Sequence, residues 1–356
     1  MVGLPLIVNQ NFEFNLLSII CGPFYVLFFE LLLYPITLLM FIFPSLHELC
    51  FYIYDFFEIT VIFLSNIKMF NVIVGDINII IILIYYVLLF LLLSSFEVKR
   101  CRKYFSIIFL LFMIVVYNKN SFNQIVKIKF YNVGQGESIL IFLPKDKYVL
   151  IDAYDNIDEF LKRDGVRKID ILLITHGHAD HSNSFSLINE TFKVNNIYSS
   201  LYDESLILKD NKIKRLRSDD KVFIEDAKIH ILGPIHYYQN ENNNSLVFKF
   251  IYKQISCLFT GDIEEEAEID LVNKYGDYLS SDILKVPHHG SKSSSSKLFI
   301  KSVNPTYMVV SVGINNIYDL PNNNLILSFK NLYRTDLHGT ITITYRKKIK
   351  IKYIFR

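Results

Sequence analysis

Three histidines and one aspartate fall within six residues of Thr175-His176-Gly177-His178-Ala179-Asp180-His181. Packing does not readily gather so many titratable groups, whereas imidazole nitrogens and carboxylate oxygens are the donors that divalent metals take. The spacing points to metal binding by His176, His178, Asp180 and His181. Similar chemistry recurs downstream. Asp262 follows an apolar run, where one carboxylate could bridge two ions or cap a helix that starts at Ile263. His288 and His289 follow another such run. Adjacent residues of an extended chain point opposite ways, so one of the two is expected at the ion, with His288 as the ligand and His289 in reserve. Asp152 and Asn243 are further reserve ligands or substrate contacts, and Ser291 and Lys292 in a serine-rich loop are candidate phosphate contacts.

With no cysteine near these positions, the donor set suits zinc or manganese. Two divalent ions about 3.5–4 Å apart would lower the pKa of a shared water toward roughly 7 and hold both oxygens of an in-line displacement at phosphorus. Asp180 and His181 are the catalytic candidates, with Asp180 orienting the attacking water or taking its proton. Gly134-Gln135-Gly136 alone is weak evidence for a phosphate loop. His47, His230, His236 and His338 stand singly and read as structural or solvent-facing.

Strand ends must position these groups. The apolar run 169–174 leads into the histidines, 148–151 ends at Asp152, 255–260 ends at Gly261-Asp262, and 283–286 runs into Pro287-His288-His289. Polar groups at several strand ends of a mixed sheet imply one shared cleft. Further strands are expected at 125–131, 138–143 and 306–312, and hairpins at 221–232, 245–260 and 340–354. Helices are expected at 155–168, 186–192, 264–275 and 325–332. Two sheets with helices outside follow from this mixture.

Before this part lies a different kind of chain. Of 356 residues 51% are hydrophobic, and up to about Tyr117 the sequence is dominated by Leu, Ile, Phe and Val. Residues 16–43 are long enough for one tilted span or a broken one, with Pro23 and Pro35 as kinks. Residues 49–67 carry Asp55 and Glu58, which suit an interfacial or bundle-facing helix. Residues 77–93 form the cleanest span, followed by the basic loop 97–103, cytoplasmic by the positive-inside tendency. Residues 104–117 are apolar but short. If they cross, the soluble part lies outside the cytoplasm; if they lie in the interface, it lies inside. No signal peptide is read at the start. The net charge of +2 is too small to argue for nucleic acid, and Cys21, Cys50, Cys101 and Cys257 suggest neither disulfides nor a cysteine metal site.

The combination of His176-x-His178-x-Asp180-His181, Asp262 and His288 resembles the metallo-β-lactamase superfamily. More narrowly, Val133-Gly134-Gln135-Gly136-Glu137-Ser138, Leu150-Ile151-Asp152, Leu258-Phe259-Thr260-Gly261-Asp262-Ile263-Glu264, Leu284-Lys285-Val286-Pro287-His288-His289-Gly290-Ser291-Lys292 and Arg334-Thr335-Asp336 resemble the C-terminal domain of the ComEC family of bacterial DNA-uptake channels. The match runs over about residues 125–345. The membrane part is loosely similar to the second half of that family's competence domain. The resemblance implies an N-terminal α-helical transmembrane bundle at 1–120, with three to four transmembrane or interfacial helices. It implies a C-terminal αβ/βα four-layer sandwich at 121–356. The implied function is a metal-dependent DNA nuclease in uptake, in a multi-pass protein of the cell membrane; crossing by residues 104–117 is the preferred reading and puts the soluble domain on the extracytoplasmic side. DNA, the membrane and another chain supplying the first half of the channel are the implied partners, with homo-oligomerisation open. Alternatives are a translocation component whose metal domain is vestigial or regulatory, and an anchored hydrolase of a small ester or phosphate. The sequence departs from the family at Glu137, Ala153-Tyr154, Ser182-Asn183 and Leu320. Asn242-Asn243-Asn244 stand where many superfamily hydrolases place a third histidine, so one metal position is expected to be short of ligands.

Overall fold

The computed structural model describes residues 2–67, 70–205, 212–322 and 329–354. The chain divides into two compact units, 1–118 with 162–166, and 119–161 with 167–356.

In the first unit, α1 (Leu4–Asn11) carries Pro5 in its opening turn, where a missing N–H costs no hydrogen bond. β1 (Glu13–Asn15) pairs antiparallel with β2 (Asn71–Ile73). The Asn15 side chain caps α2 (Leu16–Phe28), accepting from the Leu17 N–H at 2.8 Å. α2 passes through a π-helical turn, Phe29–Leu33, into α3 (Tyr34–Ile42). Pro23 sits inside α2. Pro35 follows the π turn, where its lack of an N–H interrupts the regular ladder. Residues 16–42 run as 27 helical residues of mean hydropathy 2.2, and this is the one helix among the described residues long and apolar enough to cross a membrane. α4 (His47–Ser65) contains Asp55 and Glu58. α5 (Ile79–Ser94) is apolar, but its 16 residues rise only about 24 Å against a hydrocarbon core of about 30 Å. α6 (Lys99–Tyr117) takes in most of the expected basic loop, so the short apolar segment becomes a 19-residue helix with a charged first turn.

The second unit is built of two sheets. One has eight strands in the order β17 (Ile349–Ile354), β16 (Thr340–Tyr345), β3 (Val126–Phe130), β4 (Ile139–Leu143), β5 (Lys147–Ile151), β6 (Lys168–Ile174), β7 (Lys193–Ser200) and β8 (Ile213–Leu216). The other has seven, in the order β15 (Leu332–Arg334), β14 (Tyr307–Val310), β13 (Ile283–Lys285), β12 (Ile255–Phe259), β11 (Val247–Tyr252), β10 (Ala227–Gly233) and β9 (Lys221–Ile224). Neighbours from β5 to β8 and from β12 to β15 are parallel; the rest are antiparallel. Sequence pattern explains the difference in burial. The alternating VKIKF of β3 buries every second residue, whereas the continuous apolar runs of β4 and β6 are buried on both faces.

The inner faces meet in one core, where Phe259 stacks on Phe130 at 6.3 Å and on Phe248 at 5.0 Å between ring centroids. The second sheet's outer face packs against α10 (Glu265–Tyr275) and α11 (Lys297–Val303) through Leu271, Phe299 and Val303. α7 (Ile157–Arg163) follows β5, α8 (Ala179–Ser182) and α9 (Phe185–Thr191) follow β6, and α12 (Thr335–His338) precedes β16. Two sheets packed face to face with helices outside form the α/β sandwich expected from the motifs.

The expected hairpins form, as β9–β10, β11–β12 and β16–β17. β7, β8 and α11 were not anticipated. β7 reads KVNNIYSS, and its buried end includes Ser199 and Ser200, so no apolar alternation marks it. Of the helix expected at 325–332, residues 325–328 lie outside the described residues, and Leu332 opens β15 instead.

Candidate metal centre

Four strand ends deliver the site: Asp152 follows β5, the histidine cluster follows β6, Asp262 follows β12 and the histidine pair follows β13. Because β5–β6 and β12–β13 are parallel pairs, each pair sends both its chemical groups to the same end. Asp180 and His181 lie in the single turn of α8, with His178 at its N-cap position. The turn is anchored from outside: the Asp180 carbonyl accepts from the Glu137 N–H at 2.9 Å and the His181 carbonyl from the Ala153 N–H at 2.8 Å. Gly261 has φ of 52°, and a Cβ there would stand 2.7 Å from that of Ser245, so glycine lets the chain turn tightly into Asp262.

Asp180, His181, Asp262 and His289 each offer one ligand atom, all within 4.8 Å of one another. His181 Nε2 lies 3.2 Å from Asp262 Oδ1, and His289 Nε2 lies 3.4 Å from Asp262 Oδ2 and 3.5 Å from Asp180 Oδ2. The second nitrogen of each ring is fixed from behind. His181 Nδ1 donates to Asp152 Oδ2 at 2.7 Å, and His289 Nδ1 donates to the Ser311 carbonyl at 2.6 Å. Those bonds leave each Nε2 buried, without a hydrogen-bond partner, and aimed at the carboxylates. Two such nitrogens beside two carboxylate oxygens fit a divalent metal ion.

The charges are strongly interdependent. Burial pushes the His181 imidazole down, but Asp262 and Asp152 outweigh it and hold the group well above its usual value. His289 is likewise depressed by burial and raised on balance by Asp262 and Asp180. Burial raises Asp262 and Asp180, and the facing imidazoles more than reverse it, leaving both carboxyls below the usual range. For Asp262, Lys285 contributes as well.

His176 and His178 form a neighbouring pair with ring centroids 4.6 Å apart. His176 is buried, its Nε2 has no hydrogen-bond partner, and burial with the nearby His181 holds its pKa well below normal. His178 is exposed and meets Glu241 at 3.2 Å. Asn243, where a third imidazole was missed, is committed elsewhere: its Oδ1 accepts from the Glu264 N–H at 2.7 Å and its Nδ2 donates to Glu266. Among the described residues, no third ligand atom joins this pair in a compact group.

The order of preference in the pair 288–289 is reversed in the structure. His289 is buried in the cluster, while His288 turns its Nδ1 toward Glu264 at 3.3 Å. The premise of an extended chain fails there, because both residues have left-handed φ, 46° and 50°. Asp152 supports His181 rather than facing the cleft: its carboxylate also accepts from the Thr175 N–H at 2.7 Å and the Thr175 hydroxyl at 2.8 Å. Ser291 lines the cleft of about 830 Å³ beside Asp180 and His289, together with Tyr154, Gln135 and Tyr318. Lys292 lines an adjoining depression with Ser293 to Ser296, and Ser291 borders both.

Sequence reasoning missed Lys285. It is 1% exposed, contacts the Glu137 carboxylate, donates to the Gly261 carbonyl at 2.8 Å and lies 3.3 Å from Asp262 Oδ1. A lysine inside the otherwise apolar Ile283-Leu284-Lys285-Val286 was the available signal, because a buried cation needs an anion nearby.

Residues 131–314 match the metallo-beta-lactamase superfamily. Among curated proteins the chain is similar to ComE operon protein 3 of Bacillus subtilis (strain 168), 27% identical over 255 residues, covering 61% of this chain and 33% of that protein. It is also similar to Competence protein ComA of Neisseria gonorrhoeae, 30% identical over 227 residues, covering 59% and 31%. These relatives bear out the resemblance to the ComEC family, and the chain spans about a third of their length. A solved structure, Igni18, a novel metallo hydrolase from the archaeon Ignicoccus hospitalis, overlaps 62% of this chain and 100% of its own with a TM-score of 0.46 and 14% identity.

Proposed function

The chain belongs to the metallo-beta-lactamase superfamily, and from that premise we propose that its second unit is a phosphodiesterase that cuts DNA during uptake. The observation that carries this reading is the cluster of Asp180, His181, Asp262 and His289, convergent and open to a cleft beside Ser291. The similarity to competence proteins supports DNA as the substrate. A bound divalent ion, zinc or manganese, would supply Lewis acidity toward phosphate oxygen and a more acidic water. His181, His289 and Asp262 would hold it. Asp180 is the most accessible of the four, its side chain 35% exposed, and its lowered pKa keeps it ionised. It therefore suits orienting the attacking water or accepting its proton. Ser291 and Tyr154 line the cleft wall and would contact a phosphoryl group.

In the same reading, the first unit anchors the protein in the cell membrane by several passes, with the second unit on the extracytoplasmic side. The 27-residue apolar helix supports anchoring. The unfilled third position beside His176 and His178 favours one alternative, a transport component whose metal unit is regulatory. One experiment separates them: the purified full chain, loaded with zinc or manganese, is given labelled single- and double-stranded DNA. Cleavage that falls by about 10²-fold or more in Asp180→Ala and Asp262→Ala is expected. Absence of cleavage, or cleavage unchanged in both variants, would refute the enzymatic reading.

A further inference from the structure

We propose that the outer face of β3, β16 and β17 is a docking surface for the phosphate backbone of DNA, an inference that rests on the phosphodiesterase reading above. Strand register builds this face. Thr342 pairs with Lys129 on one side and Lys352 on the other, and Thr344 pairs with Lys127 and Lys350. Residues directly opposite across a ladder share a face, so four lysines and two threonines stand in two parallel rows. Lysines of one row are about 10 Å apart and the rows about 7 Å apart, from strand spacing and rise. The alternate residues, among them Ile128, Ile341 and Ile343, enter the core. The β16–β17 turn adds Arg346, Lys347 and Lys348, and the twelve residues lining the depression over this face include no acid. A chain of net charge +2 thus gathers seven cations in one place.

Protection of the sheet edge explains part of the pattern, since β17 is an edge strand and edge lysines discourage pairing with another chain. It does not explain Lys127 and Lys129. These belong to β3, the third strand in, and their ammonium groups lie over the Phe142 ring at 6.0 and 5.4 Å. Threonine hydroxyls between the ammonium groups add hydrogen-bond donors, the mixture that holds a phosphate backbone. An anionic lipid surface would meet the same charge but binds firmly through apolar side chains that insert. Here the rows themselves are lysine and threonine, and the apolar residues of the lining, Ile125, Tyr353 and Ile354, stand outside them. The observations favour nucleic acid.

The test uses the full chain in neutral detergent with EDTA, which stops metal-dependent hydrolysis, and a fluorescent oligothymidylate. Changing Lys127, Lys129, Lys350 and Lys352 to Gln should weaken binding at about 0.1 M salt by about tenfold or more. It should also flatten the log K against log salt slope by roughly 0.7 per lost phosphate contact. Changing the same four to Arg should retain binding, and the Gln variant should hydrolyse bis(p-nitrophenyl) phosphate like the parent. Unchanged oligonucleotide affinity and slope in the Gln variant would overturn the proposal. So would a loss confined to phosphatidylserine vesicles. If the parent cleaves no phosphodiester but loses oligonucleotide binding in the Gln variant, the enzymatic reading fails and the surface stands. Cleavage with lysine-independent binding gives the reverse.

Discussion

Asp152→Asn tests the logic of the centre without touching a proposed ligand. The Asp152 carboxylate accepts three hydrogen bonds, from the Thr175 N–H, the Thr175 hydroxyl and His181 Nδ1. Asn keeps one oxygen, which can still serve Thr175, and tolerates the left-handed φ of 56° at this position. Its amide nitrogen, however, presents a donor to His181 Nδ1. The ring must then accept at Nδ1 and carry its proton on Nε2, the atom 3.2 Å from Asp262 that would hold the metal. A protonated Nε2 has no lone pair to give. Supporting residues of this kind contribute about 10–100-fold to metal affinity, or roughly 1.4–2.7 kcal/mol. Competition against a chromogenic chelator measures that loss, and near-UV circular dichroism checks that the variant is folded. A folded Asp152→Asn protein with parental zinc affinity would refute the assigned tautomer and the orienting role.

His289→Ala should remove tight metal binding while His288→Ala retains it, read as metal-to-protein ratio after gel filtration; equal loss in both would contradict the placement of the two rings. Lys285→Met should destabilise the metal-free protein by about 3–5 kcal/mol, because it strands a buried carboxylate, and metal should then raise its Tm by more than it does for the parent. Metal binding should release protons and weaken as pH falls, by up to about tenfold per unit for each proton released, because the carboxylates that raise the His181 and His289 pKa values favour the protonated imidazoles, and an imidazole must give up that proton to hold a metal. Calorimetry in buffers of different ionisation enthalpy counts those protons. Without metal the same groups set the stability window. The raised His181 gives stability that is full below about pH 6.5 and lost as pH rises through its folded value, whereas the depressed Asp262 gives stability present above about pH 3.9 and lost on acidification. A metal titration should show one tight equivalent, with any second one weaker and abolished by His176→Ala; two equally tight equivalents would show that the His176–His178 pair finds a third ligand.

The fold was legible where burial dictated composition. β4, β6 and β12 are apolar because they lie between layers, and their ends were found because chemistry begins where the apolar run stops. β7 was illegible for the opposite reason. Part of its polarity is satisfied by particular partners, as when Arg215 donates to the Ser199 hydroxyl at 2.6 Å, and such a bond leaves no periodic trace. The membrane-like part was legible as composition, but length decides which helices can span, and helix length follows from the turns at each end. Lys285 shows the same limit within the site. Its role depends on Glu137, 148 positions earlier, which only the packing of β13 near the β3–β4 turn brings close.

The histidine pair shows why adjacency misleads at a functional turn. Opposed side chains follow from extended geometry, but residues 288 and 289 both occupy the left-handed region, at a cost on the order of 1–2 kcal/mol each for a residue with a Cβ. Such a turn persists only where its surroundings fix it. The Ser311 carbonyl holds His289 Nδ1, the Ser294 hydroxyl holds the Pro287 carbonyl at 3.0 Å, and the His288 carbonyl accepts from the Ser291 N–H at 2.8 Å. Were the segment to relax into extended geometry, the two rings would diverge as the sequence argument assumed, and His289 would lose the Ser311 bond that fixes its tautomer. The strained turn and the buried, unpartnered Nε2 are therefore one feature. The backbone holds an unfavourable shape because that shape keeps Nε2 aimed at Asp180 and Asp262, where a bound cation would satisfy all three groups.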